Sequence, residues 1–348
     1  MIERLPSGVL IDHRRPEKMD YMMIHSRSNR LCSGAFVGHD EFLKITPQTF
    51  TNYDFAVWRF GDGSAGKIID SMVKSLKFTP GKNLVVVWEG GGSAQTLLHT
   101  LIDGDESEIP EGYKEVYPPE LYLYRESHPL EIEFVLSGGT TIKTHCAYLV
   151  GEDPFGIYST EKKEELIRRF PYMNTHLAYI FSAISSGKRE TLKGRIQPEK
   201  IIYKRGEEEY EVSGPCFAIA SVTSTDRIAT VRVHRKLSPN QVRLWTCRAS
   251  DEDSLGKKYN KALFVGAVFP KGPDKVVEAG LIELFDADEV IIYPDRREET
   301  RSRKRLNIGG QLYRLNTDSV QKLIIRRSKH KITYIIPKEI TRRGIQIF

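Results

Sequence analysis

The stretch from Leu84 to Ile102 constrains the fold of this chain most. An apolar, β-branched run, Leu84-Val85-Val86-Val87-Trp88, ends in Glu89 and three consecutive glycines, Gly90, Gly91 and Gly92. After Ser93-Ala94-Gln95 comes Thr96-Leu97-Leu98-His99-Thr100-Leu101-Ile102, which reads as a helix. A strand that feeds a glycine-rich turn and opens a helix is half of a βαβ unit, and its turn can offer backbone N–H groups to an anion. The same glycines serve equally as a tight turn that needs positive φ.

Around this unit the apolar runs at 84–88, 121–124, 132–136, 147–150 and 217–222 read as strands, with helix candidates at 160–170 and 173–186 between them. Buried strands alternating with helices predict an α/β fold with a P-loop-like, largely parallel sheet core. At 348 residues the chain is too long for one small core. The expected division is a small N-terminal α/β region over 1–82, the core over 83–250 and a basic C-terminal α+β module over 251–348. In the first region 55–60 reads as a strand and 68–76 as a helix, and the turn Thr79-Pro80-Gly81 marks its end. In the third, 262–269 is an apolar run, 276–285 reads as helical, and short strands follow at 312–315, 323–325 and 332–336.

Charge separates the parts further. From Ile291 onward there are fifteen Lys or Arg against five Asp or Glu, a local balance of +10 in a chain whose total is +6, which leaves −4 for the rest. Such asymmetry suits a negatively charged partner, nucleic acid above all; a solvated basic face gives the same count. No apolar run approaches the length of a membrane helix, and the N-terminus lacks the apolar core of a secretory signal. A cytoplasmic protein with no membrane partner is expected. Cys32, Cys146, Cys216 and Cys247 lie far apart without a C-x-x-C pair, against a zinc ribbon.

Three segments carry candidate chemistry. In the turn after 84–88, Gly90, Gly91, Gly92 and Thr96 would surround phosphate, and Thr96 would also offer a hydroxyl to magnesium; Gln95 stands where a phosphate loop has lysine and Ala94 where it has its last glycine. A competing loop, Gly61-Asp62-Gly63-Ser64-Ala65-Gly66-Lys67-Ile68, keeps both glycines and the lysine but puts Ile68 at the hydroxyl position. The strand at 147–150 ends in Gly151-Glu152-Asp153-Pro154, and paired carboxylates at a strand end can hold a metal and orient water. The strand at 217–222 ends in Thr223-Ser224-Thr225-Asp226-Arg227, where Thr223 could sense a γ-phosphate or simply cap the next element.

Taken in order, glycine-rich loop, acidic strand end, polar strand end and Asp226-Arg227, residues 84–236 resemble the core of AAA+-type ATPases of the viral and plasmid replicative-helicase kind. The resemblance implies magnesium-ATP as cofactor, a ring-shaped homo-oligomer and a nucleic-acid substrate, with Glu152, Asp153 and Thr223 catalytic. Val85-Val86-Val87-Trp88-Glu89-Gly90 is also similar to the first motif of Toprim domains, and Gly151-Glu152-Asp153-Pro154-Phe155-Gly156 to the D-x-D-P-x-G motif of topoisomerase VI and its relatives. There Glu89 and Asp153 would hold magnesium, with Gly151 standing where that motif has its first aspartate. Near the end, 331–343 is similar to the I-P-K-E-I-R stretch of swapped-hairpin transcription factors, which supports nucleic-acid contact.

Three classes of function remain: a P-loop-type ATPase of DNA replication or packaging, active or degenerate; a Toprim-like magnesium enzyme; and a non-enzymatic nucleic-acid-binding or assembly protein. In each, Arg296, Arg297, Arg301, Arg303, Lys304, Arg305, Arg326, Arg327 and Lys329 are the expected phosphodiester contacts.

Overall fold

In the computed structural model the described residues are 2–4, 10–12, 21–25, 55–59, 65–81, 84–88, 95–102 and most of 106–339, apart chiefly from 153–161, 183–197, 269–274 and 297–304. They fall into two compact units that interleave along the chain. One holds Met1–Pro129, His145–Ala147 and Ser328–Phe348; the other holds Leu130–Thr144 and Tyr148–Arg327. Position 83 thus falls inside the first unit and position 251 inside the second.

In the first unit β1 (Ile2–Arg4) and β2 (Leu10–Asp12) form an antiparallel pair. Its main sheet comprises β3 (Tyr21–His25), β4 (Phe55–Arg59), β5 (Val85–Trp88), β6 (Tyr122–Ser127) and β21 (Ile332–Pro337). Their spatial order is β3-β4-β5-β21-β6, parallel from β3 to β21 and antiparallel between β21 and β6. Parallel neighbours need a crossover, and α1 (Ala65–Ser75) joins β4 to β5; α2 (Gln95–Ile102) follows β5. Ile69, Met72 and Val73 on α1 repeat at helical spacing and are buried, as are Leu97, Leu98 and Leu101 on α2 and Val85, Val86, Ile332, Tyr334 and Ile335 on the sheet. On α1 Asp70 accepts a hydrogen bond from the His145 backbone N–H at 3.0 Å, lies 3.1 Å from the His145 ring Nδ1 and pairs with Lys74 at 2.6 Å.

The second unit is a sandwich of two six-stranded sheets. One comprises β7 (Leu130–Leu136), β8 (Thr141–Cys146), β10 (Pro198–Arg205), β11 (Glu208–Val212), β17 (Glu289–Pro294) and β20 (Val320–Arg327), ordered β11-β10-β17-β20-β7-β8. The other comprises β9 (Leu149–Glu152), β12 (Cys216–Ser221), β15 (Val242–Arg248), β16 (Glu283–Ala287), β18 (Arg305–Ile308) and β19 (Gln311–Arg314), ordered β16-β15-β12-β9-β18-β19. Tyr203 of β10 stacks on Phe285 of β16 between the sheets, ring centroids 4.7 Å apart. Across the outer face of the second sheet lies α3 (Glu252–Val268), whose Leu255, Tyr259 and Ala262 pack on Phe217, Ile219 and Trp245. Asp251 caps α3 by accepting the Ser254 N–H at 2.7 Å. The short α4 (Lys275–Glu278) follows it, and β13 (Thr225–Ile228) with β14 (Val231–His234) forms a separate antiparallel ribbon.

This architecture overturns the expected parallel, P-loop-like core. Parallel pairing is confined to β3, β4, β5 and β21, while the strands of 130–327 pair antiparallel. Among the described residues, strand residues outnumber helical ones about two to one, a balance that a doubly helix-covered sheet does not give. The misleading signal was continuous apolarity. Every residue of β12 is buried, because one face meets the first six-stranded sheet and the other meets α3. Burial on both faces writes the same unbroken apolar run whether the covers are two helices or a helix and a sheet. Among the described residues no helix is long and apolar enough to cross a membrane.

Candidate nucleic-acid interface

The proposed phosphate and metal residues do not share one sheet. Glu89, Gly90, Gly91 and Gly92 lie outside the described residues; β5, which leads into them, belongs to the five-stranded sheet, and Thr96 is the second residue of α2. Glu152 ends β9 in the antiparallel sheet, while Asp153 and Thr223 lie outside the described residues. Because β9 and β12 run antiparallel, Glu152 sits opposite Ala218 and Leu149 opposite Ser221. The exit of β12 toward Thr223 is therefore at the far end of the pair from Glu152. Val222 is four residues beyond Ala218, about 14 Å at the rise of a strand.

Gly151, which stands where the resemblance to the D-x-D-P-x-G motif expects an acid, is closely approached by the neighbouring strand. It lies opposite Ile219, and a Cβ added there would come 3.1 Å from Ile219 Cγ1 and 3.2 Å from the Ala218 carbonyl oxygen. An aspartate cannot stand at that position without moving β12. Of the magnesium ligands implied by either resemblance, Thr96 lies on α2, and Glu89 and Asp153 lie outside the described residues. Among the described residues, Thr96 belongs to one unit and Glu152 to the other.

The cations divide sharply by their neighbours. Arg326 on β20 is the hub of an ion ladder across the first six-stranded sheet. In register from strand to strand stand Glu209, Lys204, Glu289, Arg326 and Glu131. The ion pairs follow that row: Lys204 to Glu209 and to Glu289, each 3.2 Å, Arg326 to Glu289 at 3.3 Å and to Glu131 at 3.0 Å, and Lys143 of β8 to Glu131 at 3.1 Å. Arg326 also pairs with Glu133. Burial works against the charged guanidinium, but the Glu131 hydrogen bond and the charges of Glu131, Glu133 and Glu289 hold its pKa above the ordinary value. Burial likewise pushes Glu131 up, and hydrogen bonds from Lys143 and Arg326 outweigh it, leaving that carboxyl below its usual range. Arg327 donates to the carbonyls of Pro239 at 2.9 Å and Val222 at 3.4 Å. Two of the expected phosphate contacts are thus committed inside the unit.

Elsewhere the expected contacts stand differently. Arg296 and Lys329 are exposed, and Arg297, Arg301, Arg303 and Lys304 lie outside the described residues. The segment 296–305 carries six cations against two acids and runs between β17 of one sheet and β18 of the other. It enters an edge hairpin. The β18–β19 turn at Gly309 has φ of 61°, and it is held to the sheet: the Gly309 N–H donates to Leu149 O at 2.8 Å and the Tyr148 hydroxyl to Gly309 O at 3.0 Å. Leu306 and Ile308 are buried, so the alternate set of hairpin positions, Arg305, Asn307, Leu312 and Arg314, occupies the other face. In that set Arg305 is directly opposite Arg314. Like charges directly opposed in a sheet are destabilising, by about 0.2–1 kcal/mol on the scale of cross-strand pairs. An anion between them reverses the sign.

Sequence reasoning noted the aromatic-basic pair Tyr313-Arg314 without including Arg314 among the expected phosphodiester contacts, and it missed the ladder carboxylates Glu131, Glu133 and Glu289. The signal for the last group was the alternation Leu130-Glu131-Ile132-Glu133, which places two acids on one face of a strand. The place of Arg314 opposite Arg305 carries no local signal, since only the hairpin register sets it there.

No protein-family model matches the sequence, and comparison with curated proteins finds no similar one.

Proposed function

We propose that this protein binds nucleic acid without acting on it catalytically, through the basic segment 296–305 and the face of the β18–β19 hairpin on which Arg305 and Arg314 are paired. The observation that carries the reading is the placement of Arg305 opposite Arg314 at the point where the six-cation segment joins the sheet. Guanidinium groups take phosphate oxygens bidentately, and such contacts position a nucleic-acid backbone without reading its sequence. The rest of the chain carries a net −4. Attraction is therefore local to this end of the sequence, and the expected complex has one oriented contact face.

The test is fluorescence anisotropy of labelled oligonucleotides, single- and double-stranded, titrated with the full chain over a range of salt. Binding should weaken steeply from about 50 to about 200 mM salt, and R305A/R314A should flatten the logarithmic salt slope by about 1.4–1.8 for two lost phosphate contacts. Absence of binding at low salt, or an unchanged slope in R305A/R314A, overturns the proposal.

A further inference from the structure

In the second unit a short helix ends in a corner that holds two aromatic rings in solvent. Residues 165–169 are helical, and the Phe170 N–H closes the last turn on Leu166 O at 2.8 Å. The Met173 N–H then donates to Phe170 O at 2.9 Å, so Tyr172 rides on a hydrogen-bonded turn directly after the helix. Phe170 is 48% exposed and Tyr172 fully exposed, whereas Leu166 and Ile167 on the helix are half-buried. The hydrophobic effect favours covering rings of this size. One exposed ring is ordinary on a protein surface, but two on one corner form a patch.

Cations flank the rings. Arg168 and Arg169 are both exposed, and the Arg169 guanidinium lies 5.6 Å from the centre of the Phe170 ring, a cation–π contact. Glu165, the acid that precedes them, is met by Lys162 at 2.8 Å. From Leu166 to Arg189 the sequence has four Lys or Arg and no Asp or Glu. Aromatic faces with guanidiniums beside them match a ligand that alternates flat rings with anions.

We infer that the 168–172 corner is a stacking platform for single-stranded nucleic acid, with Phe170 and Tyr172 taking unpaired bases on their rings and Arg168 and Arg169 taking phosphates. This rests on the nucleic-acid-binding reading above and deepens it by naming the strand state. Every base has a π-face, so such stacking tolerates any sequence. A duplex keeps its base faces inside its own stack and offers the arginines phosphate but the rings nothing. Neither stacking nor phosphate pairing involves the 2′-hydroxyl, so the platform takes a single strand of either sugar. An anionic membrane would meet the same charges, but an interfacial helix needs a broad apolar face, and here Leu166 and Ile167 are half-buried in the fold.

The experiment compares the full chain with F170A/Y172A, F170L/Y172L, R168Q/R169Q and R305A/R314A. The probes are labelled oligothymidylate, oligouridylate and an abasic strand of one length, a DNA duplex, and anionic vesicles. On both base-bearing single strands the two aromatic variants should bind about tenfold more weakly with an unchanged salt slope, and on the abasic strand they should match the wild type. R168Q/R169Q should flatten the single-strand slope by about 1.4 for two lost phosphates. All melting temperatures should stay at the wild-type value, because the replaced side chains are exposed. If R305A/R314A behaves as proposed while both aromatic variants keep wild-type affinity for single strands, the platform is overturned and the primary reading survives. If the aromatic variants lose affinity while R305A/R314A keeps the wild-type slope, the hairpin contact falls and the platform stands. If the wild type binds no nucleic acid, both fall. An equal loss on the abasic strand or the duplex, a loss confined to one sugar, or a ring-dependent response to vesicles with none to single strands overturns the platform. If F170A/Y172A melts early, F170L/Y172L decides: normal melting with full single-strand affinity, or early melting in that variant too, overturns the inference.

Discussion

Replacing Arg326 by methionine separates structural from ligand-directed cations in this protein. Methionine keeps most of the volume and removes only the charge and the fork. Arg326 meets Glu131 at 3.0 Å and Glu289 at 3.3 Å, with Glu133 as its third partner, and its side chain is 35% exposed against 15–21% for the three carboxylates. Exposed ion pairs contribute about 0.2–1 kcal/mol each, and removing one partner of a buried pair costs about 3–5 kcal/mol. The half-buried hub lies between these limits. Lys143 stays within 3.1 Å of Glu131, and Lys204 within 3.2 Å of Glu289, so two of the three acids keep a cation at that distance. An R326M cost of about 2 kcal/mol follows, read as a fall of about 4–8 °C in the melting temperature of a unit this size.

The pH dependence has a definite sign. The Glu131 carboxyl is held below its ordinary value in the folded state. Its contribution is therefore present above the unfolded carboxylate value, near 4.3, and is lost as pH falls through the lower folded value. The R326M penalty should be full at neutral pH and shrink below about pH 4. Urea midpoints of wild type and R326M at several pH values measure this, with DNA anisotropy in parallel. DNA affinity and salt slope should be unchanged. A stable R326M that has lost about one unit of salt slope would refute the reasoning, for Arg326 would then spend its charge on phosphate rather than on the ladder.

Two further outcomes are expected. Asp286 holds the fully buried Arg243 by a bidentate pair at 2.7 and 3.1 Å, so D286A should cost about 3–5 kcal/mol, whereas R243M/D286L should cost clearly less; denaturant titration of the single and double variants checks both. Burial pushes the Asp70 carboxyl up, but hydrogen bonds from His145 and Lys74 outweigh it and its pKa is lowered; D70N should therefore destabilise the protein at neutral pH and flatten the loss of stability below about pH 4, seen as converging urea midpoints on acidification.

Local structure was legible wherever local chemistry decided it. The spacing of Ile69, Met72 and Val73 announced α1, and the runs at 84–88, 323–325 and 332–336 fall in β5, β20 and β21. The reading of 276–285 as one helix failed at a signal that was present. Gly280, at φ of 63°, ends α4: its N–H bonds to Val277 O and the Leu281 N–H to Val276 O, and the chain then turns Leu284 and Phe285 into β16. The β10–β11 hairpin was missed because β11 is a polar edge, exposed at Glu208, Glu209, Tyr210 and Glu211, so no apolar period betrays it. Topology was not legible at all. β21 inserts between β5 and β6, although 130–144 and 148–327, which form the other unit, separate β6 from β21 in the sequence. No periodicity encodes a pairing across so long a loop, which is decided by non-local burial.

The same limit explains why charge counting overstated the basic surface. Arg326 and Arg305 are indistinguishable in composition, both lying in the stretch whose balance is +10. Register distinguishes them. The in-register neighbours of Arg326 are Glu289 and Glu131, and the in-register neighbour of Arg305 is Arg314. The first arrangement satisfies the cation within the fold, and so adds little to any external field. The second raises the free energy of the unbound protein and lowers that of a complex with a polyanion, which is the differential that binding requires. On the proposed reading, it is this difference in register that makes Arg305 with Arg314, and not Arg326, the contact that R305A/R314A removes.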